Sequence, residues 1–146
     1  MKTNRHEMTV QWGDCDPGDI VFYPNFFRWF DNGTAELFAS VGLDLHQMFA
    51  DYGILGIPIL DAHSQFMRPS RFRDVITVES GIESWGNTSF RLNHKIFNGG
   101  VEAVSGHEVR AWVIKDASHP SGIRAQRVPD AIRAHFADPR VHFALN

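Results

Sequence analysis

The sequence predicts an α+β fold in which an antiparallel sheet of about five to six strands wraps around one long, strongly apolar helix. Over residues 24–41, Phe26, Phe27, Trp29, Phe30, Leu37, Phe38 and Val41 cover more than one helical face, the pattern of a helix surrounded by protein. Five segments rich in Val, Ile, Phe and Trp follow at 58–67, 74–85, 89–97, 101–114 and 123–128, with turn residues between them. No helical crossover fits between these segments, so they pair antiparallel and receive the helix on their concave face.

The first strand is expected over residues 7–13, where Met8, Val10 and Trp12 alternate with Thr9 and Gln11. It delivers Asp14 and Asp16 to its end, and Pro17-Gly18 stops it. Pro24 suits the first helical turn, where a missing N–H is harmless. Asn32-Gly33 interrupts the helix at about 1 kcal/mol relative to alanine; it marks either a close approach to the sheet or a local break. Gly42 serves as a C-cap, and 44–52 reads as a second helix with Leu45, Met48 and Phe49 on one side. Asn98-Gly99-Gly100 is the strongest hairpin turn. Pro129 opens a short helix through Phe136, and the last ten residues read as a loosely held tail.

With 146 residues and 43% hydrophobic content, the chain is sized for one domain with its core over about 7–137. A net charge of -3 argues against a sequence-independent nucleic-acid binder, which needs a basic face. The longest apolar run is far short of a membrane span, and the first residues lack the apolar core of a signal peptide, so a cytoplasmic location is expected. Cys15 is the only cysteine, which excludes an internal disulfide and a multi-cysteine zinc site. The 8 histidines show no ligand spacing, so no metal is expected.

Two carboxylates beside a Pro-Gly turn, just ahead of a helix start, occupy the place where helix amides favour negative charge. Asp16 is the candidate catalytic group; the rival reading has it capping the turn or the helix. Asp14 is better suited to holding turn amides. Cys15 lacks a neighbouring base and reads as packing.

The run Gly13-Asp14-Cys15-Asp16-Pro17, then Ile20-Val21-Phe22-Tyr23-Pro24-Asn25 and Arg28-Trp29-Phe30-Asp31, resembles the opening of the 4-hydroxybenzoyl-CoA thioesterase group of hotdog-fold acyl-CoA thioesterases. The likeness continues through Gly53-Ile54-Leu55-Gly56, Asp74 to Glu79, Trp85 with Ser89-Phe90, and Glu108-Val109-Arg110. The resemblance implies a hotdog sheet around the helix, homodimers with active sites at the subunit interface, and commonly tetramers. It implies hydrolysis of an acyl-CoA to a carboxylate and free coenzyme A, which is part of the substrate, so no separate cofactor is needed. It assigns Asp16 to the catalytic aspartate, the backbone N–H of Tyr23 to the donor that polarises the carbonyl, and Asp31 to an acidic position near the far end of an aromatic acyl group.

The chemistry fits these residue types. Helix N-terminal amides stabilise the oxyanion formed on attack at a thioester carbonyl, at roughly 3–4 kcal/mol per donor. A carboxylate in reach can attack and form a mixed anhydride, or can activate water. An ordinary aspartate, with a pKa of about 4, is a weak base at neutral pH, which favours attack without deciding it.

Phe22 and Phe27 are candidates for a flat acyl pocket, with most of Phe26, Phe30 and Phe66 assigned to core. Asp31 or Asp61 could accept a hydrogen bond from a ring hydroxyl, and His63 shares the Asp61 strand; solvated and structural readings stand beside these. Arg68, Arg71 and Arg73 form the densest basic group, and Arg91 shares a face with Lys95, so these are candidates for the coenzyme A phosphates. Two departures stand out. Asp19 replaces the glycine usual in relatives, and the turn at 85–89 is uncharged where relatives often carry basic residues. The alternatives are a short-chain aliphatic thioesterase, a non-catalytic binder of acyl thioesters or aromatic ligands, and a dehydratase, which no histidine in 14–23 supports.

Overall fold

The computed structural model describes residues 2–137. Its central element is α1 (Pro24–Ser40), which runs unbroken through Asn32-Gly33. Gly42, at φ +86, ends the helix, its N–H returning to the Ala39 carbonyl. A left-handed residue there is the usual way of satisfying the last carbonyls.

Five strands make the main sheet: β1 (Thr3–Thr9), β2 (Ile59–Phe66), β3 (Val75–Trp85), β4 (Ser89–Asn98) and β5 (Val101–Ala111). Their order is β1-β3-β4-β5-β2, with every pair antiparallel. The Gly99-Gly100 turn joins β4 to β5 with both residues at positive φ, the geometry of a two-residue hairpin loop. Between α1 and β2 lies α2 (Leu45–Tyr52), capped by Asp44 at one end and left-handed Gly53 at the other.

Three expectations are corrected. The first strand is Thr3–Thr9 rather than 7–13, because its partner β3 begins at Val75, opposite Thr9. The chain then enters a 3-10 turn at Trp12–Asp14, which leaves Trp12 78% exposed rather than inward. The segment 101–114 divides at buried Trp112 into β5 and β6 (Val113–Lys115), and β6 pairs in a separate ribbon with β7 (Ile123–Ala125), shorter than 123–128. A last helix, α3 (Asp130–His135), follows Pro129 as expected. Apart from Ala137, the expected tail lies outside the described residues.

The apolar core has two parts. One gathers Val10, Val21, Phe26, Trp29, Phe30, Ile76, Val78 and Ile96 around the first half of α1. The other gathers Leu37, Phe38, Met48, Phe90, Leu92, Trp112 and Phe136 around its second half. Between them runs a band of buried polar residues: Thr34 on α1, Ser80 on β3, His94 on β4, and Glu108 and Arg110 on β5. Gly33 lets the helix close on this band, since a Cβ there would lie 2.5 Å from Ser80 Oγ and 3.2 Å from Val78 Cγ1.

Candidate active site

The segment entering α1 is a tight hairpin. Cys15 bridges Val21, Asp16 N–H donates to the Ile20 carbonyl at 2.9 Å, and Asp19 N–H donates to the Asp16 carbonyl at 2.9 Å. The left-handed conformation this loop requires falls on Asp19, at φ +62, and not on Gly18. Aspartate tolerates that region better than most non-glycine residues. The Asp16 carboxylate is held by one bond, from Gly18 N–H to Oδ1 at 2.8 Å, and is partly exposed.

Asp14 has the structural role expected of it. Its carboxylate accepts Gln11 N–H at 2.8 Å and Arg28 Nη2 at 3.0 Å, while its carbonyl accepts Phe22 N–H at 2.9 Å and Asn25 Nδ2 at 2.8 Å. Burial, and after it the Asp14 carboxylate, pushes the Cys15 thiol up, which disfavours the thiolate a nucleophile needs.

Tyr23 sits at the N-cap of α1 in helical conformation. Its backbone N–H donates to none of the described residues, and Pro24 has no N–H to give. A free amide thus stands at the positive end of the helix dipole. It borders a cleft of about 410 Å³ lined by Ile20, Val21, Tyr23, Phe26, Phe66 and Arg68, among others. Asp16 lines a second hollow of about 390 Å³ with Trp12, Cys15 and Asp19. Asp16 and the Tyr23 amide therefore belong to neighbouring hollows within one protomer.

The first cleft is aromatic. Tyr23 meets Phe66 edge-on at 6.2 Å, Phe66 meets Phe26 at 5.5 Å, and Phe22 packs edge-on against Tyr23 at 5.6 Å. Tyr23, Phe27 and Asp31 follow one another along one flank of α1, the flank towards β2 and β5. Phe27 is partly buried against Phe30, and Asp31 pairs with Arg110 of β5 at 2.6 Å.

The basic candidates divide. Arg68, Arg71 and Arg73 lie in the loop after β2, which is stitched to the helix entry by Val21 N–H to the Ser70 carbonyl at 2.9 Å and Arg71 Nη1 to the Asp19 carbonyl at 3.4 Å. Arg73 stacks over Phe72 at 4.8 Å. Arg91 is elsewhere. It pairs with Glu83 and donates to His107 Nδ1 at 3.1 Å, on the outer face of the sheet.

Asp61 and His63 lie on that outer face too, which corrects the expectation that they join the acyl pocket. Strand alternation aims Ala62, Ser64 and Phe66 at α1 and turns their neighbours away. Asp61 accepts His107 Nε2–H at 3.1 Å, and His63 stacks on His107 at 5.3 Å. The neutral turn after β3 is braced from α3, with Arg133 Nη2 donating to the Gly86 carbonyl at 2.7 Å.

The polar band beneath α1 was not legible in the sequence as a unit. Glu108 Oε1 accepts Thr34 Oγ1–H and His94 Nε2–H, each at 2.7 Å, and Oε2 accepts Arg110 Nη2–H at 2.8 Å. His94 Nδ1 lies 2.7 Å from Ser80 Oγ, and its ring stacks on Phe30 at 4.8 Å. Burial alone would raise the Glu108 pKa, but the His94 hydrogen bond and the Arg110 charge lead the groups that bring it from 4.5 down to about 2. The sequence signals were polar residues at strand positions that alternation turns inward and the Glu108-Val109-Arg110 segment that carries part of the resemblance.

Among the described residues, no group of three His, Cys, Asp or Glu side chains is arranged to hold a metal ion, and no helix is long and apolar enough to cross a membrane.

Comparison with known proteins gives a consistent picture. The thioesterase-like superfamily matches residues 10–136. The 4-hydroxybenzoyl-CoA thioesterase of Pseudomonas sp. strain CBS-3 is 32% identical over 129 residues, 84% of this chain and 89% of the relative. Among solved structures, an aspartate-to-asparagine mutant of 4-hydroxybenzoyl-CoA thioesterase complexed with 4-hydroxybenzoyl-CoA superposes with a TM-score of 0.85 at 28% identity, covering 94% of this chain and 100% of that one. A gentisyl-coenzyme A thioesterase superposes at 0.78 with 30% identity, covering 92% and 100%.

Proposed function

The chain belongs to the thioesterase-like superfamily and is an acyl-CoA thioester hydrolase, and from that premise we propose that it acts on aromatic, hydroxybenzoyl-type acyl-CoAs with Asp16 as its catalytic carboxylate. The observation that supports this reading is the undonated Tyr23 amide at the head of α1, with a lightly held Asp16 carboxylate in the neighbouring hollow.

The thioester carbonyl oxygen lies against Tyr23 N–H, where the helix dipole favours the charge that develops on it, a contribution of about 3 kcal/mol in comparable sites. The Asp16 carboxylate adds to the carbonyl carbon, the tetrahedral intermediate expels coenzyme A thiolate, and water cleaves the mixed anhydride to regenerate Asp16 and release the acid. In the general-base variant Asp16 takes a proton from the attacking water instead.

An aromatic acyl group is supported by the rings at the cleft and by the flank of α1. Phe22 and Phe27 supply flat apolar surface. From Tyr23 to Asp31 is eight residues, about 12 Å of helix, which less the reach of the Asp31 side chain is the length of one substituted ring. Asp31 then stands at the distal end as a hydroxyl acceptor. Arg68 borders the cleft, and Arg71 and Arg73 follow it in the same loop, as contacts for the coenzyme A phosphates. Hydroxybenzoyl and gentisyl thioesters are named for the similar enzymes above.

We further infer a homodimer that completes the site. β2 is an edge strand that exposes Ile59, Leu60 and Phe66, and an unpaired apolar edge invites the same strand of a second copy. Such a dimer would bring the partner's surface to both hollows, and pairing of dimers into a tetramer is what the resemblance implies.

The test is release of free thiol from benzoyl-, 4-hydroxybenzoyl-, phenylacetyl- and short aliphatic CoAs, with Asp16→Asn alongside. Fastest turnover on 4-hydroxybenzoyl-CoA, falling at least a hundredfold in a folded Asp16→Asn, is the expected outcome. Full activity in that variant would remove Asp16 from the chemistry. A best substrate that is aliphatic would overturn the aromatic assignment.

A further inference from the structure

Arg110 links the buried band to the surface of α1. Its guanidinium is nearly enclosed: Nη1 donates to the Ile57 carbonyl at 3.1 Å, and Nη2 is shared between Glu108 Oε2 at 2.8 Å and Asp31 Oδ1 at 2.6 Å. Glu108 is in turn fixed by Thr34 and His94, and His94 by Ser80 and the Phe30 ring. Asp31 is thus the outermost link of a chain whose inner links are buried and hydrogen-bonded on several sides. Its side chain is 62% exposed, and Oδ2 accepts from none of the described residues.

An aspartate on an exposed helix face ordinarily samples several rotamers and keeps its water. A ligand hydroxyl that binds it only replaces that water, for little net gain. Held at Oδ1 by a fixed guanidinium, the carboxylate has already lost that freedom and presents one oxygen in one direction. We propose that Arg110 is a positioning residue for substrate selection, holding Asp31 so that Oδ2 is a fixed acceptor which favours acyl rings bearing a hydroxyl over rings without one. This rests on the reading that Asp31 meets the distal end of the acyl group. A ring lacking the hydroxyl leaves the oriented oxygen dehydrated and unpaired, and that is where the discrimination arises. Lysine is no substitute, because one ammonium cannot span Ile57, Glu108 and Asp31 as the planar fork does.

The experiment measures kcat and KM for 4-hydroxybenzoyl-CoA and benzoyl-CoA in the wild type, Asp31→Ala, Arg110→Lys and the double variant. Asp31→Ala should lower the preference for the hydroxylated substrate by about tenfold or more. Arg110→Lys should lower it by a similar factor, mainly through KM, and should add nothing once Asp31 is alanine. If Asp31→Ala collapses the preference while Arg110→Lys keeps it, the role of Arg110 is overturned and the Asp31 reading stands. If Asp31→Ala has no effect, the Asp31 reading falls and the proposal with it. Should Arg110→Lys not fold, Asp31→Asn decides: Arg110 would hold the amide oxygen and turn the NH₂ outward, raising turnover of 4-methoxybenzoyl-CoA above that of Asp31→Ala. Equal turnover in those two variants would overturn the proposal.

Discussion

His94 Nε2 and Glu108 Oε1 meet at 2.7 Å in the interior, their side chains 0% and 1% exposed, and so tie the neighbouring strands β4 and β5 together beneath α1. The Glu108 carboxylate, with its pKa lowered from 4.5 to about 2, stabilises the fold fully above about pH 4.5, and that contribution is lost as pH falls towards 2. The gap corresponds to about 3 kcal/mol. Urea unfolding from pH 7 to pH 2.5 should show this decline. Glu108→Gln should be less stable at pH 7 by about 3 kcal/mol and should respond less to acid over the same window.

Gly33→Ala tests the close approach of α1 to the band. Alanine is the better helix former by about 1 kcal/mol, but its Cβ would lie 2.5 Å from Ser80 Oγ. Overpacking of that kind costs about 1–3 kcal/mol, so a net loss of stability is expected, visible as a lower thermal midpoint.

At Asp19 the prediction runs the other way. Its φ of +62 suits glycine, so Asp19→Gly should stabilise the hairpin by up to about 1 kcal/mol, whereas Asp19→Ala should destabilise it by a similar amount. Thermal unfolding of the two variants should shift the midpoint in opposite directions.

For coenzyme A recognition, Arg68→Ala and Arg71→Ala should raise KM by about three- to tenfold with little change in kcat, and 0.5 M salt should narrow the difference from wild type. Arg91→Ala, which loses its outer-face partners instead, should leave KM where it is.

Leu60→Lys probes the free edge of β2. A charge on an exposed apolar edge opposes pairing, so sedimentation should shift from dimer towards monomer, with thioesterase activity falling in parallel.

Local patterns made much of this legible in the sequence. The α1 stripe, Gly42, Asp44 and the Gly99-Gly100 turn each announce an element through their own dihedral or periodic demands, and each stands where expected. Trp12 misled because alternation says nothing of where a partner strand stops, and here β3 begins opposite Thr9. Asp61 and His63 misled because a face can be assigned only once register is known. The His94–Glu108–Arg110 band stayed hidden for a deeper reason: polar residues distant in sequence become a unit only when strands align them.

The hairpin of β4 and β5 and its neighbour β3 are contiguous in the chain and pair across short turns, whereas β1 closes on β3 from the opposite end of the sequence, Thr3 meeting Gly81 and Thr9 meeting Val75. Pairings between distant segments carry the larger loop-closure entropy and form late. The Asp16 hairpin follows the end of β1, so the proposed catalytic segment is expected to form late in folding. A chain that has formed its β3–β4–β5 meander but not yet captured its first strand would be collapsed, rich in β-structure and catalytically silent.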